Sequence, residues 1–216
     1  MEIAELWRYP VKSLGGERLV EAELLPDGIR GDRIVQVVTR GQIVTSRVRP
    51  KLLGLHATLG AEGAPLVDGR RWDDPAVLFS VREATSLPDA ELVLDDDVER
   101  FDVLPLTVLT DGAIAAFGYD HRRLRPNIVI SGVGGRTEKT WSGRMLKLGG
   151  GAAYLAVARP RTRCVMTTFD PDTQEQDRGV LQHIVDDLDA RIALDCSVVR
   201  GGTIRVGDGV ELIPRS

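Results

Sequence analysis

The chain has 216 residues, of which 43% are hydrophobic, and its 28 Lys and Arg residues face 32 Asp and Glu residues for a net charge of -4. This length allows one large domain or two small ones, and the hydrophobic content is ample for a buried core. An acidic balance gives no bulk positive field, so we expect no nucleic acid or membrane partner, and any anion site must be local.

The N-terminal residues, the distribution of apolar residues and the cysteines lead us to expect a cytoplasmic protein. Residues 1–5 lack the basic and apolar regions of a signal peptide, and no apolar run approaches membrane-spanning length. Two cysteines, Cys164 and Cys196, are too few for a four-thiolate iron–sulfur site and lack metal-finger spacing. We therefore expect reduced thiols.

The first half of the chain is predicted to be mostly strand. Alternating apolar and polar residues mark strands at 3–9, 18–25, 32–39 and 51–59, with short candidates at 77–81 and 91–94. Frequent Gly and Pro supply turns, which indicates an antiparallel, barrel-like β unit. An acidic connection, Asp95–Asp97, precedes a new apolar run, and we place a domain boundary there, giving domains 1–97 and 98–216.

The second half is predicted to mix strands with a few helices. Thr110 or Asp111 is expected to cap a short helix ending at Phe117, and apolar residues at helical spacing predict a longer helix over 177–190. Strands are predicted at 127–130, 144–148, 154–158, 192–199, 203–206 and 210–213. The fold class is therefore mainly β with a few helices (α+β).

Several common chemistries are disfavoured by residue type. Residues 132–137 suggest a dinucleotide loop, but Thr137 replaces the third glycine and no helical pattern follows, so a turn is expected. The chain has no Walker phosphate loop, and His56, His121 and His183 show no paired metal-ligand spacing.

Cys164 is the most informative single residue. It follows Arg159, Arg161 and Arg163, and a thiol beside three arginines is favoured as a thiolate nucleophile or as a soft metal ligand. Judged by these neighbours alone, the role of a small buried hydrophobe is favoured for this free cysteine. Cys196 lies in an apolar strand and is expected to be core, unpaired with Cys164.

A series of ordered segments resembles the MOSC superfamily, named for the C-terminal domain of molybdenum cofactor sulfurase. The resemblance covers nearly the whole chain and includes the superfamily's N-terminal β-barrel domain. The segments are Trp7–Gly16, Gly31–Arg33, Arg125–Gly132, Trp141–Arg144, Arg163–Pro171 and Gly201–Leu212. The chain is similar in architecture to the amidoxime-reducing components and their bacterial relatives.

The resemblance implies a pyranopterin molybdenum cofactor (molybdenum-molybdopterin). Cys164 matches the family cysteine whose thiolate ligates molybdenum, a job suited to a soft sulfur ligand. Lys12 and Ser13 match positions that hold the cofactor's phosphate, with Arg33 close by, and these types suit a phosphate. Taken alone, Lys12 could equally be a solvated surface amine.

Arg125 and Asn127 match the pair that holds the pterin. Asn offers a donor and an acceptor to a pterin edge, while Arg can stack on or hydrogen-bond a ring system. Without the resemblance, an Arg-Pro-Asn run is also an ordinary opening of a strand.

The resemblance to the amidoxime-reducing components implies the reduction of N-hydroxylated or N-oxide compounds at molybdenum. The substrate is then a small N-oxygenated molecule. Because the chain has neither a flavin loop nor iron–sulfur cysteines, electrons must come from a separate protein of flavin or ferredoxin type. The resemblance therefore implies an oxidoreductase that depends on an electron-donor partner.

Two departures from the family pattern bear on the site. Relatives often have a small hydroxyl residue in the short helix where this chain has Asp111-Gly112-Ala113, which leaves Thr110 as the candidate to supply that cofactor contact. Gln174 replaces the glycine that ends an Asp-Pro-x-Thr-Gly turn, which predicts a differently shaped turn. Both departures leave the competence of the site and its substrate preference open.

Three alternatives remain open from sequence. The chain could carry molybdenum cofactor or sulfur on Cys164 without turnover of its own, or it could be a binding module that kept the fold and lost the metal. A cysteine hydrolase would pair Cys164 with one of the histidines, and such partners meet only in the fold. Desulfurase activity is not expected, because it needs a separate pyridoxal-phosphate domain.

Overall fold

The computed structural model describes residues 1–94 and 100–215, and it is mainly β with α-helices packed on the sheets. The strands are β1 Glu2–Arg8, β2 Glu17–Leu19, β3 Glu21–Leu25, β4 Gly28–Ile29, β5 Val35–Thr39, β6 Gln42–Ile43, β7 Ala57–Leu59, β8 Pro65–Val67, β9 Arg70–Arg71, β10 Glu91–Leu94, β11 Leu106–Thr110, β12 Ile128–Ser131, β13 Met145–Leu148, β14 Ala153–Thr162, β15 Arg191–Arg200, β16 Gly202–Arg205 and β17 Val210–Ile213. The helices are α1 Pro75–Thr85, α2 Asp111–Phe117 and α3 Arg178–Asp187, and short 3-10 helices are Pro50–Gly54, His121–Leu124, Thr137–Thr140, Gly149–Gly151 and Val165–Thr168.

An eight-stranded sheet forms the centre of the fold. Its order is β17-β13-β14-β15-β11-β12-β1-β2, and its strands pair antiparallel except β11 and β12, which run parallel with α2 between them. A right-handed crossover through a helix is the usual way to join parallel neighbours. Three smaller sheets, in the orders β10-β5-β6, β16-β3-β4 and β7-β8-β9, complete the described strands.

The large sheet curls so that its two ends approach each other. The N–H of Val210, at the start of β17, donates to the carbonyl of Met1 at 2.8 Å, and Glu2 forms a bridge with Gly209. In the described residues this contact is a single bridge with flanking hydrogen bonds. The inward side chains of the sheet therefore face one another and form one apolar core.

Three apolar clusters stabilise the protein. The largest fills the curled sheet and includes Ile3, Leu106 and Cys196. A second joins the loops and small sheets of the first half to α1, and a third packs α2 and α3 on the outer face of β11, β12 and β15. The cleft described below borders the second cluster, since Lys12 and Ser13 lie between its members Val11 and Leu14.

Most predicted elements are confirmed, and two predictions are wrong. Residues 77–81 belong to α1, because Asp74 caps the helix by accepting from the Ala76 N–H at 2.7 Å and Pro75 opens it. Its buried residues Val77 and Val81 lie one helical turn apart, which short-range alternation cannot distinguish from strand. The predicted strand over 51–59 is a 3-10 helix opened by Pro50, followed by β7.

The predicted domain boundary between residues 97 and 98 falls on residues that lie outside the described ranges, as does most of the acidic run, so it stays a prediction. Strand pairing connects the chain on either side of it. β1 pairs with β12 and β3 pairs with β16, so the first 25 residues share sheets with the second half. None of the helices in the described ranges is both long and apolar enough to cross a membrane.

The backbone of the 133–135 loop packs so closely against position 112 that we expect only glycine to fit there. A Cβ at this position would lie 1.8 Å from the Gly135 carbonyl oxygen and 2.6 Å from the Val133 carbonyl oxygen. We predict that Gly112→Ala lowers the free energy of unfolding by about 2–3 kcal/mol, because backbone must move to admit the methyl group. Denaturant titration measures this loss.

Gly134→Ala is the matched control in the neighbouring loop. A Cβ there meets nothing within 4 Å, so its effect is expected to stay within about 0.5 kcal/mol. Equal stability of the two variants would contradict the packing argument.

Candidate functional site

A cleft lies between loops of the first half and the ends of strands in the second half. Its inner part has an empty volume of about 590 Å³ and widens into an outer part of about 1150 Å³. Lys12, Arg47, Asp102 and Arg163 line both parts, so the two are continuous.

The inner cleft is strongly cationic. Seven of the fifteen described residues that line it are Lys or Arg, against the single carboxylate of Asp102. The cations are Lys12, Arg33, Arg47, Arg100, Arg125, Arg161 and Arg163. In a chain of net charge -4, such clustering is the local anion site that composition alone permits.

Asp32 positions the first-half side of the cleft. Its carboxylate is fully buried, accepts from the Tyr9 N–H at 2.7 Å and from Asn127 Nδ2 at 3.2 Å, and is ion-paired with Arg33. The Arg33 N–H donates in turn to the Tyr9 carbonyl at 2.8 Å. The loop after β1 and the loop before β5 are thereby joined into one unit.

Lys12 and Ser13 follow Tyr9 in that unit and line the inner cleft. The Lys12 N–H donates to the Val35 carbonyl at 2.8 Å, and its ammonium lies 3.2 Å from Asp102 Oδ1. Ser13 has a left-handed backbone with φ 76°, which turns the chain at the cleft surface. The two predicted phosphate-binding residues are therefore adjacent in space and sequence.

A buried aromatic ring contacts two of the cleft arginines. The guanidinium of Arg125 lies 4.0 Å from the centre of the Tyr9 ring and that of Arg33 lies 5.2 Å from it. Such contacts with a π face stabilise a cation in the absence of a carboxylate. Burial raises the pKa of Tyr9 to about 12, so its hydroxyl stays protonated and donates to the Pro126 carbonyl.

Arg125 and Arg163 present buried N–H groups with no hydrogen-bond acceptor. Arg125 donates from Nη1 to the Leu14 carbonyl while its Nη2 is unpartnered, and Arg163 donates from Nη2 to the Leu124 carbonyl while its Nε and Nη1 are unpartnered. Burial lowers the pKa of Arg125 to about 10 and that of Arg163 to about 9, so both are cationic at neutral pH. Buried cations with free donors favour a bound anion.

Cys164 lies in the outer cleft. It follows β14, precedes the 3-10 helix Val165–Thr168, and is half-buried as a free thiol. Arg161 and Arg163 line the same part of the cleft as Lys12. Arg161 is held there by donating to the buried carboxylate of Asp195 at 2.6 Å. Cys196, in contrast, is fully buried, as predicted, and burial raises the pKa of its thiol.

Two residues predicted to contact a cofactor do not line the cleft. Asn127 is fully buried, accepts from the Thr107 N–H at 3.1 Å and donates to Asp32, so its side chain braces the cleft floor. Thr110 caps α2, where its Oγ1 accepts from the Ala113 N–H at 3.1 Å and lies 3.3 Å from Glu138 Oε2. Thr107 lines the cleft, and three residues of strand place Thr110 about 10 Å away.

Both departures from the family pattern have a structural explanation. Gly112 is the one residue type that fits beneath the 133–135 loop. Gln174 adopts the left-handed φ of 60° that a glycine would supply, and its N–H donates to the Asp170 carbonyl at 2.9 Å. The turn thus keeps a positive φ at this position without glycine.

The lining residues that sequence reasoning missed include Arg47, Arg100, Asp102 and Met166. Arg47 and Arg100 lie in loops and belong to no motif, so the chain gives no signal for either one. Met166 follows Cys164 by two residues and accepts from the Ser46 hydroxyl at 3.0 Å, which connects the two halves across the cleft. Its proximity in sequence to Cys164 is the one signal that could have found it.

A second cavity of about 580 Å³ adjoins the cleft and shares Arg125 and Met166 with it. Its walls include the rings of Trp7, Tyr9 and Phe169. Of the predicted site residues, only Arg125 reaches it, whereas the cleft gathers Lys12, Ser13, Arg33, Arg125 and Cys164. The cleft is therefore the candidate functional site.

The residues of the cleft suit an anionic cofactor that brings most of its own metal ligands. No group of three or more His, Cys, Asp or Glu side chains in the described ranges could hold a metal ion by itself. One half-buried thiol beside a cationic channel can supply a single soft ligand and neutralise a phosphate. This donor set fits a metal held largely by the sulfur atoms of an anionic organic group.

Family models match both halves of the chain. A model described as the MOSC N-terminal beta barrel domain matches residues 1–102, and a model described as the MOSC domain matches residues 111–211. The Cys164 side of the cleft lies in the second match, and the Lys12 and Arg33 side lies in the first.

Curated proteins and solved structures show the same similarity. The chain is 26% identical to mitochondrial amidoxime-reducing component 1 of Mus musculus over 98% of this chain and 82% of that protein. It is 24% identical to the Homo sapiens component 1 over 79% of this chain and 67% of that protein. The fold resembles the crystal structure of the YUAD protein from Bacillus subtilis, with TM-score 0.55 and 13% identity over 100% of this chain and 96% of that chain.

Glu138, the buried partner of Thr110, is expected to make stability depend on pH. Burial raises the pKa of its carboxyl group, so the folded state holds a proton that the unfolded state has lost, and stability falls as pH rises through that range. We predict that Glu138→Gln raises the free energy of unfolding by about 1 kcal/mol relative to the parent protein at pH 7. Near pH 4 the two proteins are expected to have the same free energy of unfolding.

Denaturant titrations at both pH values measure this difference. Glu62→Gln is the control, because it removes one carboxylate from an exposed loop. We expect it to change the free energy of unfolding by a similarly small amount at pH 7 and near pH 4. A gain for Glu138→Gln that is independent of pH would contradict the assignment to carboxyl burial.

Proposed function

The chain belongs to the MOSC superfamily, with a MOSC N-terminal β-barrel domain followed by a MOSC domain, and from this premise we propose that its cleft binds a pyranopterin molybdenum cofactor and reduces N-hydroxylated or N-oxide compounds. One observation carries the proposal. Seven cationic side chains and one half-buried thiol surround a single continuous cleft in an acidic protein.

The phosphate end of the cofactor would lie against the first-half wall. Lys12 offers a point charge, Ser13 a hydroxyl donor and Arg33 a planar set of N–H groups, which together match the three-fold geometry of a phosphate. Asp32 fixes Arg33, and its hydrogen bond to the Tyr9 N–H fixes the loop from which Lys12 and Ser13 project. The wall is therefore organised before a ligand arrives.

The organic part of the cofactor would lie along the inner cleft. Arg125 and Arg163 would donate their unpartnered N–H groups to its polar edge, which relieves buried donors that lack acceptors. Asn127 and Thr110, also proposed for cofactor binding, would support the cleft without contacting the cofactor. Asn127 would do so through its hydrogen bonds to Asp32 and Thr107, and Thr110 by capping α2.

Cys164 would supply the protein's one metal ligand. When bound, the cofactor supplies the two-electron redox chemistry that removes oxygen from nitrogen. Arg161 and Arg163 would neutralise the thiolate and the anionic cofactor, and Arg161 is aimed into the outer cleft by Asp195. Met166 and Leu124 give the inner cleft an apolar wall that limits water.

The reaction requires an electron donor outside this chain. Reduction of an N-hydroxyl group to N–H consumes two electrons and two protons and releases one water. The amidoxime-reducing components to which the chain is similar are named for a reduction of this class. We therefore propose a separate flavin or ferredoxin-type protein as donor and a small N-oxygenated molecule as substrate, taken up through the outer cleft.

Metal analysis and pterin fluorescence test the role of Cys164. Protein from a molybdopterin-producing host is expected to hold near-stoichiometric molybdenum, and Cys164→Ala is expected to lose it because the described residues contain no group of three or more His, Cys, Asp or Glu side chains that could hold the metal without the thiol. Cys196→Ala removes a buried core thiol instead and is expected to retain the metal. Equal molybdenum in both variants would contradict the proposed ligand.

Turnover distinguishes the enzyme from a carrier. Loaded wild-type protein is expected to reduce a hydroxylamine or amidoxime with an artificial electron donor. Bound pterin without turnover would support the carrier hypothesis instead. If wild type takes up neither molybdenum nor pterin, the proposed site is wrong.

Lys12→Ala tests the phosphate end. Loss of one charge-assisted phosphate contact, about 1.5–3 kcal/mol, is expected to lower pterin retention at least tenfold on dialysis. Lys51→Ala removes an exposed lysine away from the cleft and is expected to retain pterin like wild type. Matching pterin contents in the two variants would remove Lys12 from the site.

The arginines beside Cys164 are tested together. Arg161→Gln combined with Arg163→Gln is expected to release cofactor faster than wild type, measured by pterin fluorescence during dialysis, because two cations leave the cleft. Arg159→Gln is the control, since Arg159 is largely exposed on the same strand. Unchanged retention in the double variant would confine both arginines to a structural role.

A further inference from the structure

Asp102 is the one carboxylate among the described residues that line the inner cleft, and it lies directly on the cations. Its Oδ1 is 3.2 Å from the Lys12 ammonium, and its Oδ2 is 2.5 Å from Arg47 Nη2. Two oxygens that bridge two cations make the same kind of contact that a phosphate would make. The protein's own side chain therefore occupies part of its anion site.

Neighbouring residues hold Asp102 in this position. The ring of Phe101 packs beneath Arg33, whose guanidinium lies 5.6 Å from the ring centre, and Arg100 lies 5.5 Å from the same ring. The segment is irregular rather than part of a strand or helix, and the Asp102 side chain is 41% exposed. It can thus leave the cations without breaking a β ladder.

Asp102 is a carboxylate at neutral pH. Partial burial opposes ionisation, but Lys12, Arg47 and Arg161 outweigh it and hold the pKa of Asp102 below its usual value. Arg125 also interacts with it electrostatically, so the described charged groups around it are all cations, and it is a carboxylate at neutral pH, where a phosphate is anionic. Any ligand of Lys12 and Arg47 must compete with it.

We propose that Asp102 is a specificity-determining residue that occupies the Lys12–Arg47 anion position and thereby excludes single inorganic anions from the cleft. This inference rests on the proposed function. A small anion replaces the carboxylate on two cations and gains little. A larger ligand with several polar groups displaces Asp102 and also accepts hydrogen bonds from the unpartnered donors of Arg125 and Arg163. These additional hydrogen bonds compensate for the displacement of Asp102.

The competing possibility is that Asp102 only orients Lys12 and Arg47 for the ligand. The two roles predict opposite signs. Removing a competitor strengthens binding of a small anion, whereas removing an orienting partner weakens it. A neutral isostere at position 102 therefore separates them.

The experiment measures binding of inorganic phosphate by calorimetry to full-length protein from a host that does not make molybdopterin. Asp102→Asn is expected to bind phosphate about tenfold more tightly than wild type, equivalent to about 1.4 kcal/mol, with a steeper loss on adding salt. Asp89→Asn is the matched control: it removes one carboxylate from an arginine pair outside the cleft and is expected to bind phosphate like wild type.

Equal or weaker phosphate binding by Asp102→Asn would overturn the inference. If Asp102→Asn fails to fold, Asp102→Ser replaces it in the experiment. This variant also removes the carboxylate, and it is expected to show the same increase in phosphate affinity. Tighter binding in Asp89→Asn as well would assign the effect to net charge and would also overturn it.

Failure of the inference and failure of the proposed function are distinguishable. If wild-type protein retains molybdenum and pterin but Asp102→Asn binds phosphate no more tightly, only the proposed role of Asp102 is wrong. A tenfold gain for phosphate in Asp102→Asn, with no pterin or molybdenum in wild type, supports an anion site gated by Asp102 and rejects the pyranopterin as its ligand.

Discussion

The buried carboxylate of Asp32 is the interaction on which the cleft depends. A fully buried charge is stable only when paired and hydrogen-bonded, and Asp32 meets this requirement by binding Arg33, the Tyr9 N–H and Asn127 Nδ2. These three partners come from the loop after β1, the loop before β5 and the start of β12. Satisfying one charge therefore fixes the relative positions of both walls. Asn127 joins a further strand to this network, since it accepts from the Thr107 N–H in β11.

A second constraint is the crowding of positive charge. Like charges that line one cleft repel each other, and the protein offsets this repulsion in two ways. Acids pair with Lys12, Arg47 and Arg161. The Tyr9 ring contacts the guanidinium groups of both Arg33 and Arg125. The unpartnered N–H groups of the buried arginines remain available to bind a ligand. Arginine suits this role because it keeps its positive charge when buried.

The sequence predicted the fold class and most strands because alternation and turn residues act locally, and it offered Thr110 as a cap of α2 because that side chain bonds to its own helix. It failed where a local pattern is ambiguous, as in α1. It also missed Arg47, Arg100 and Asp102, because lining a cleft depends on distant segments meeting. The family pattern identified Lys12, Ser13, Arg33, Arg125 and Cys164 as a group, and the fold gathers these five, whereas it places Asn127 and Thr110 behind the wall.

The pairing of β1 with β12 has a consequence for how such a protein can evolve. The two family matches divide the chain near residue 102, yet β1 and β2 complete a sheet whose other strands follow residue 105. A gene segment encoding only the second match would yield a sheet with β12 as a new exposed edge, which invites pairing with other chains. A protein built from the second match alone would therefore need another strand or a covering segment at this edge.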